Sequence, residues 1–219
     1  MEKGLTVILP AKDEEKTLRP VTKELANILN KGQVPFELII INDGSIDQTG
    51  KIADQMKKEW PDNITVIHHT ECRGPGASYK EALKKAQTDF ITWIPTDGEI
   101  SLCNFQDILS ELSTGTVIAT YPDYNFNKRP FIRKMLSKTF TLILNLTFRQ
   151  KVRYYNGNSV FPLQELKKHT IHSNGFFFNA ETLIKTLGNK NLSLKEIPFY
   201  YRTRKCGKSK VYRKEVFID

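Results

Sequence analysis

Long apolar runs are absent from this 219-residue chain: no stretch approaches the roughly 18 consecutive apolar residues that a membrane-spanning helix needs. A secretory leader is not expected either, because Met1-Glu2-Lys3-Gly4 passes at once into a short apolar strand pattern, too brief and too early for one. Cysteine is scarce as well. Cys72, Cys103 and Cys206 are odd in number and lack metal-ligand spacing, which argues against a disulfide framework and a zinc site and for a reducing, cytoplasmic compartment. Internal repeats and low-complexity segments are missing. The remaining composition, 39% hydrophobic and 26% charged, is that of an ordinary globular protein, and one domain is expected over residues 1–219.

Acid is in short supply in the second half only. Residues 1–127 carry 13 Lys and Arg against 19 Asp and Glu, a balance of −6, whereas residues 128–219 carry 20 against 5, a balance of +15. The acidic half suits a metal ion or the base and ribose of a nucleotide; the basic half suits an anionic partner such as phosphate or a membrane surface. Its basic residues come without a clear stacking platform of aromatics, so nucleic acid is not expected as a partner.

The first half alternates apolar strands with helical patterns. Strands are expected at Leu5–Pro10, around Ile39–Ile41, at Ile64–His68 and at Phe90–Ile94. Between them, Leu18, Val21, Leu25, Ile28 and Leu29, then Ile46, Ile52, Ala53 and Met56, then Tyr79, Ala82, Leu83 and Ala86 recur at helical spacing. Right-handed crossovers joining such units give an α/β fold, a mostly parallel central sheet with helices on both faces. Three of the strands end on acids: Lys12-Asp13-Glu14-Glu15, Asn42-Asp43-Gly44-Ser45-Ile46-Asp47 and Pro95-Thr96-Asp97-Gly98-Glu99. In open α/β sheets ligands bind outside the carboxyl ends of the strands, so these three ends converge on one site. Asp97 is the best-placed ligand for a hard divalent ion there, with Asp13, Glu14 and Asp43 facing a nucleoside. Asp43, Ser45 and Asp47 also have the chemistry to cap the next helix.

Beyond residue 120 the pattern changes. Residues 121–130 are expected to form a long loop, opening onto an apolar stretch, Met135 to Phe148, with Lys128, Arg129, Arg133 and Lys134 before it and Arg149, Lys151 and Arg153 after it. That stretch reads equally as a helix lying in a membrane interface and as a buried helix with solvated ends. Two nucleotide-binding patterns fail: Tyr79 stands where a dinucleotide fingerprint starting at Gly74 needs its last glycine, and Arg202 stands where a P-loop ending at Gly207-Lys208-Ser209 needs its first.

The order of motifs resembles the inverting nucleotide-sugar glycosyltransferases of family 2, of the GT-A (Rossmann-like) type, and within them the dolichol-phosphate mannosyltransferase and polyprenyl-phosphate sugar transferase branch. The resemblance rests on Pro10-Ala11-Lys12-Asp13-Glu14-Glu15, Asn42-Asp43-Gly44-Ser45-Ile46-Asp47, Arg73-Gly74-Pro75-Gly76-Ala77, Asp97, Glu196-Ile197-Pro198-Phe199 and Arg204-Lys205-Cys206-Gly207-Lys208-Ser209-Lys210. It implies a nucleotide-sugar half, 1–120, and a basic acceptor-side half, 121–219. It further implies that Pro10, Ala11, Glu14, Asp43 and Gly76 hold the nucleoside-diphosphate sugar, UDP- or GDP-linked, while Asp97 binds Mg²⁺ or Mn²⁺ on the diphosphate. Arg133 and Arg204 would grip phosphates, Lys208 and Lys210 would add attraction, and Glu181 would be an acid near the acceptor. Three departures stand out. Pro95 replaces the first acid of the usual metal motif, leaving Asp97 with Glu99 as its candidate helper; Lys12-Asp13 replaces a Tyr-Asn pair; and Tyr154 replaces an aspartate common on this branch. With a balance of +15 and no evident general base in the second half, the expected acceptor is a polyprenyl phosphate, already ionised, at the cytoplasmic face of a membrane. The alternatives are a sugar hydroxyl in glycan synthesis and a catalytically weak nucleotide-binding module on a membrane surface.

Overall fold

The computed structural model describes residues 3–123 and 131–202. Strand β1 (Leu5–Ala11) lies at the centre of a five-stranded sheet and is paired in parallel with β2 (Phe36–Asp43) and β4 (Phe90–Trp93). Strand β3 (Ile64–His69) extends the sheet beyond β2 in parallel, and β7 (Phe161–Pro162) closes the other side antiparallel to β4, giving the order β3-β2-β1-β4-β7.

The strands are apolar throughout because both faces are covered. Val7 and Leu9 of β1 and Leu38 and Ile40 of β2 point to one side, where they pack with Leu18, Val21, Leu25 and Leu29 of α1 (Leu18–Lys31) and with Ala53 and Met56 of α2 (Thr49–Glu59). Ile8, Ile39 and Ile41, one residue out of phase, face the other side and meet Tyr79, Ala82 and Leu83 of α3 (Pro75–Lys85) and Phe178 and Leu183 of α7 (Phe178–Leu187). The period-two alternation and the helical spacings are thus two halves of one packing pattern. Ile46 is a correction. It precedes α2 instead of belonging to it and is 92% exposed.

A second sheet has the order β5-β8-β6, built from β5 (Ile100–Ser101), β6 (Thr116–Pro122) and β8 (Ser193–Tyr201). It is tied to the first by an antiparallel bridge between Ile118 and Val160. Tyr121 and Pro122 therefore end a strand, where a loop was expected, and they pair with Pro198 and Phe199 of the Glu196-Ile197-Pro198-Phe199 motif. Residues 124–130, with Lys128 and Arg129, lie outside the described residues. The apolar stretch that follows is α5 (Phe131–Phe148), and it is not a buried helix. Leu144 is its buried apolar residue and Phe140 packs partly against the core, whereas Ile132, Met135, Leu136, Leu142, Ile143 and Leu146 are 51–71% exposed. At about 100° per residue these six fall within an arc of about 120°, an apolar face turned outward. Among the described residues no helix is long and apolar enough to cross a membrane.

Candidate active site

Parallel pairing places the C-terminal ends of β1, β2 and β4 on one edge of the sheet, with Ala11 beside Asn42 and Ile8 beside Trp93. The three loops that leave this edge are bonded to one another. Thr96 Oγ1 donates to the Pro10 carbonyl at 2.8 Å, joining the β4 loop to the β1 loop. Between the β1 and β2 loops, Asp13 N donates to Ser45 Oγ (3.0 Å), Ile46 N to Asp13 Oδ1 (2.9 Å), Glu14 N to Thr49 Oγ1 (2.8 Å) and Glu15 N to Asp47 Oδ2 (3.2 Å). Lys12 Nζ donates to the Gly44 carbonyl. Asp13 sits at φ 53°, a left-handed conformation that aspartate adopts more readily than most residues, and its side chain is consumed in holding this turn. Asp47 serves likewise. Burial opposes its charge, but hydrogen bonds from Thr49 and from Glu15 N outweigh that and hold its carboxyl below the usual range. Pro10, Ala11, Glu14, Asp43 and Asp97 are thus brought to one edge, while Asp13 and Asp47 act as struts between loops.

Asp43 does not cap α2. It is buried, and its carboxylate turns toward β3 and the loop after it: Oδ1 accepts from His69 Nδ1 (2.7 Å) and Arg73 N (2.8 Å), Oδ2 from Gly74 N (3.0 Å) and Cys72 Sγ (3.2 Å). Four donors fill the four lone-pair positions of a carboxylate. The weakest is the Cys72 thiol, whose pKa partial burial and the adjoining Asp43 carboxylate both raise. His69, directly beside Asp43 in the β2–β3 register, is the residue that sequence reasoning missed. It falls one position past the expected end of β3.

On the β4 loop, Asp97 Oδ1 accepts from Glu99 N at 3.0 Å, and Gly98 supplies the φ of 71° that the turn between them requires. Glu99 O in turn accepts from Arg202 N at 2.7 Å, so the end of β8 is held against this loop. Arg204, Lys208 and Lys210 lie outside the described residues. Arg133 is in the first turn of α5. Among the described residues no group of three or more His, Cys, Asp or Glu is arranged to hold a metal ion. Asp97 and Glu99 are nonetheless hard oxygen donors two positions apart. Mg²⁺ and similar ions are commonly held by one or two carboxylates with substrate phosphates and water completing the shell, so the residues present fit an ion that arrives with a diphosphate.

Glu181 and Gly76 belong to one assembly at the start of α3. The buried Glu181 carboxylate accepts from His172 N and Ser173 N, each at 2.9 Å, and from Lys185 Nζ at 2.5 Å. The segment it holds supplies the Asn174 carbonyl, which accepts from Gly76 N at 2.6 Å at the start of α3. A Cβ at Gly76 would come within 2.4 Å of the Ser173 carbonyl, so only glycine permits this approach. Burial disfavours the Glu181 charge, but the hydrogen bonds from Lys185, Ser173 and His172 prevail and lower its pKa from 4.5 to about 2. A folded-state value below the unfolded one stabilises the fold above about pH 5, and that contribution, roughly 2–3 kcal/mol, is lost as the pH falls toward about 2. Denaturant titrations across this window should show a flatter stability–pH curve in Glu181→Gln than in the parent; equal slopes would assign the acid sensitivity to other carboxylates.

Comparison with known proteins agrees with this architecture. The family model described as Glycosyl transferase family 2 matches residues 6–178. Polyprenol monophosphomannose synthase of Mycolicibacterium smegmatis is 23% identical over 217 residues, covering 94% of this chain and 80% of that protein. Glycosyltransferase AglD of Haloferax volcanii is 25% identical over 83% of this chain, which spans 30% of that protein's length. The dolichyl-phosphate beta-glucosyltransferase of Mus musculus is 30% identical over 51% of this chain and 36% of its own. Among solved structures, glucosyl-3-phosphoglycerate synthase from Mycobacterium tuberculosis superposes with a TM-score of 0.69 at 17% identity, covering 94% of this chain and 73% of that one, and shares its fold. With the family model covering most of its length and the mainly parallel α/β sheet in place, the chain belongs to glycosyltransferase family 2 and has the GT-A fold.

Proposed function

We propose that this protein transfers a hexose from a nucleoside-diphosphate sugar to a polyprenyl phosphate, with inversion, as a peripheral enzyme at the cytoplasmic face of a membrane, its described and undescribed residues forming one catalytic domain. The observation that carries the acceptor is the outward apolar face of α5 on a chain whose second half is strongly basic. Phe176 and Phe177 are also exposed, and the Phe177 ring lies 6.3 Å from that of Phe140 on α5. The names of the mannosyl and glucosyl relatives, which refer to polyprenol and dolichyl phosphates, support the same acceptor.

In this reading Pro10, Ala11 and Glu14 flank the nucleoside, and a nucleobase N–H takes the place of the Cys72 thiol on Asp43. Asp97, helped by Glu99, would hold Mg²⁺ or Mn²⁺, which would supply positive charge to the departing diphosphate; a solved relative that contains Mn²⁺ and UDP-glucose supports both donor and ion. Arg133 and Arg204 grip phosphate oxygens, with Lys208 and Lys210 adding attraction. A phosphate oxygen of the acceptor forms the new bond to the anomeric carbon as the bond to the nucleoside diphosphate breaks. That oxygen is already ionised, so no base is required. Glu181, committed to three donors, acts as a positioning residue through the 172–174 segment and not as a base.

The test is ligand-dependent melting with UDP, GDP, CMP and ADP, each with and without Mn²⁺. One of the diphosphates at about 100 times its Kd should add roughly 2.7 kcal/mol of stability, with metal only. Stabilisation by none of them would remove the donor site and favour a non-catalytic membrane-surface module.

A further inference from the structure

We propose that His69 is a positioning residue for donor binding: its Nδ1 bond locks the Asp43 carboxylate in the orientation that meets the nucleoside, while its Nε2 bond to Glu81 ties β3 to α3. The inference rests on the donor site proposed above. The His69 side chain is 2% exposed and lies between two carboxylates, with Nδ1 2.7 Å from Asp43 Oδ1 and Nε2 2.9 Å from Glu81 Oε2. Each ring nitrogen is within hydrogen-bond distance of one carboxylate oxygen, so the ring spans the two acids. Three elements are joined in this way: β2 through Asp43, β3 through His69 and α3 through Glu81.

The surrounding charges fit the same purpose. Arg73 Nη1 is 3.3 Å from Glu81 Oε2, and Arg73 N binds the Asp43 oxygen that His69 also holds. Around the imidazole stand Asp43, Glu81, Arg73 and the Cys72 thiol, with Lys12 adding a positive charge toward Cys72. Without the ring's Nδ1–H, Asp43 keeps the loop amides of Arg73 and Gly74 but loses the one side-chain donor that fixes the twist of its carboxylate plane from the strand side. A residue needed only for packing at this buried place would be apolar, since an ion-paired histidine gains little stability over a hydrophobic one of similar volume. Its place between two acids is accounted for by the bond it makes to Asp43.

Two isosteric variants separate the halves of the bridge. In His69→Asn the amide nitrogen takes the position of Nδ1 and keeps the bond to Asp43 while abandoning Glu81; in His69→Gln it takes the position of Nε2 and keeps Glu81 while abandoning Asp43. The expected result is a donor KM raised about tenfold or more in H69Q, within about threefold of the parent in H69N, and kcat at saturating donor within about threefold in both. Equal donor KM values in H69N and H69Q would overturn the proposal, as would a fall in kcat at unchanged KM. If H69Q is too unstable to assay, His69→Ala supplemented with imidazole replaces it: donor affinity restored by imidazole supports the proposal, and affinity unaffected by it does not. A parent protein that binds neither UDP nor GDP sinks the donor site itself, whereas a parent that binds one of them as tightly as H69Q does sinks only the role of His69.

Discussion

Asp97→Ala should lower sugar transfer by a factor of about 10²–10³, the loss typical of removing one preorganised electrostatic contact to developing charge. Two features make Asp97 the residue with the largest expected effect. Pro95 occupies the other acidic position of the family-like motif, so no second aspartate on this loop can take over. Glu99 stands next in line, but the Arg202 amide on its carbonyl and the Asp97 carboxylate on its amide pin its backbone, and Glu99→Gln should cost less. Asp97→Asn is the sharper variant. It retains an oxygen to accept from Glu99 N, so the turn with Gly98 keeps its shape while the charge is gone. Melting without ligand should then stay close to that of the parent, because the turn's hydrogen bond is kept, while the Mn²⁺-dependent part of the nucleotide stabilisation disappears. Unchanged turnover in Asp97→Asn would remove the metal-binding role from this loop.

The parts of the site that could be read along the chain are those where local pattern and position in the fold coincide. Strands β1 to β4 show because each is a short apolar run flanked by helical spacing, and their acidic ends show because nothing in a core calls for Asp43 or Asp97 at the end of such a run. What could not be read depends on contacts distant in sequence. The four donors of Asp43 come from residues 69 to 74, and no local rule distinguishes a carboxylate facing a ligand from one that organises a loop. Strands β5 and β7 have two residues each, too few to show a period. Strand β6 ends in Tyr121-Pro122, which reads as a turn, and β8 carries Pro198 within it; both persist because they are paired with each other. For α5 the apolar stretch between basic flanks suggested a helix but not its surroundings. The same apolar face would serve a core or an interface, and its exposure excludes the core.

That exposure leads to the second large effect. Replacing Leu136, Leu142 and Leu146 together by serine should reduce partitioning onto vesicles containing anionic lipid by about 10²-fold, since three leucines leaving an interface forfeit on the order of 1 kcal/mol or more each. The fold should not suffer, because these side chains are 58–71% exposed and make little of the core. Charge contributes separately. Arg133, Lys134 and Lys138 share α5 with the apolar arc, and their neutralisation should weaken vesicle binding at low salt and leave little difference at high salt, where surface electrostatics are screened. The enzymatic readout distinguishes a membrane role from a defect in chemistry. With a long-chain polyprenyl phosphate embedded in vesicles, the triple variant should lose turnover in step with binding; with a short, water-soluble prenyl phosphate it should match the parent, because Asp97 and the strand-end loops are untouched. Equal vesicle binding and equal turnover on both acceptors would separate α5 from the membrane, and the acceptor would then be sought among soluble sugars and small phosphorylated molecules.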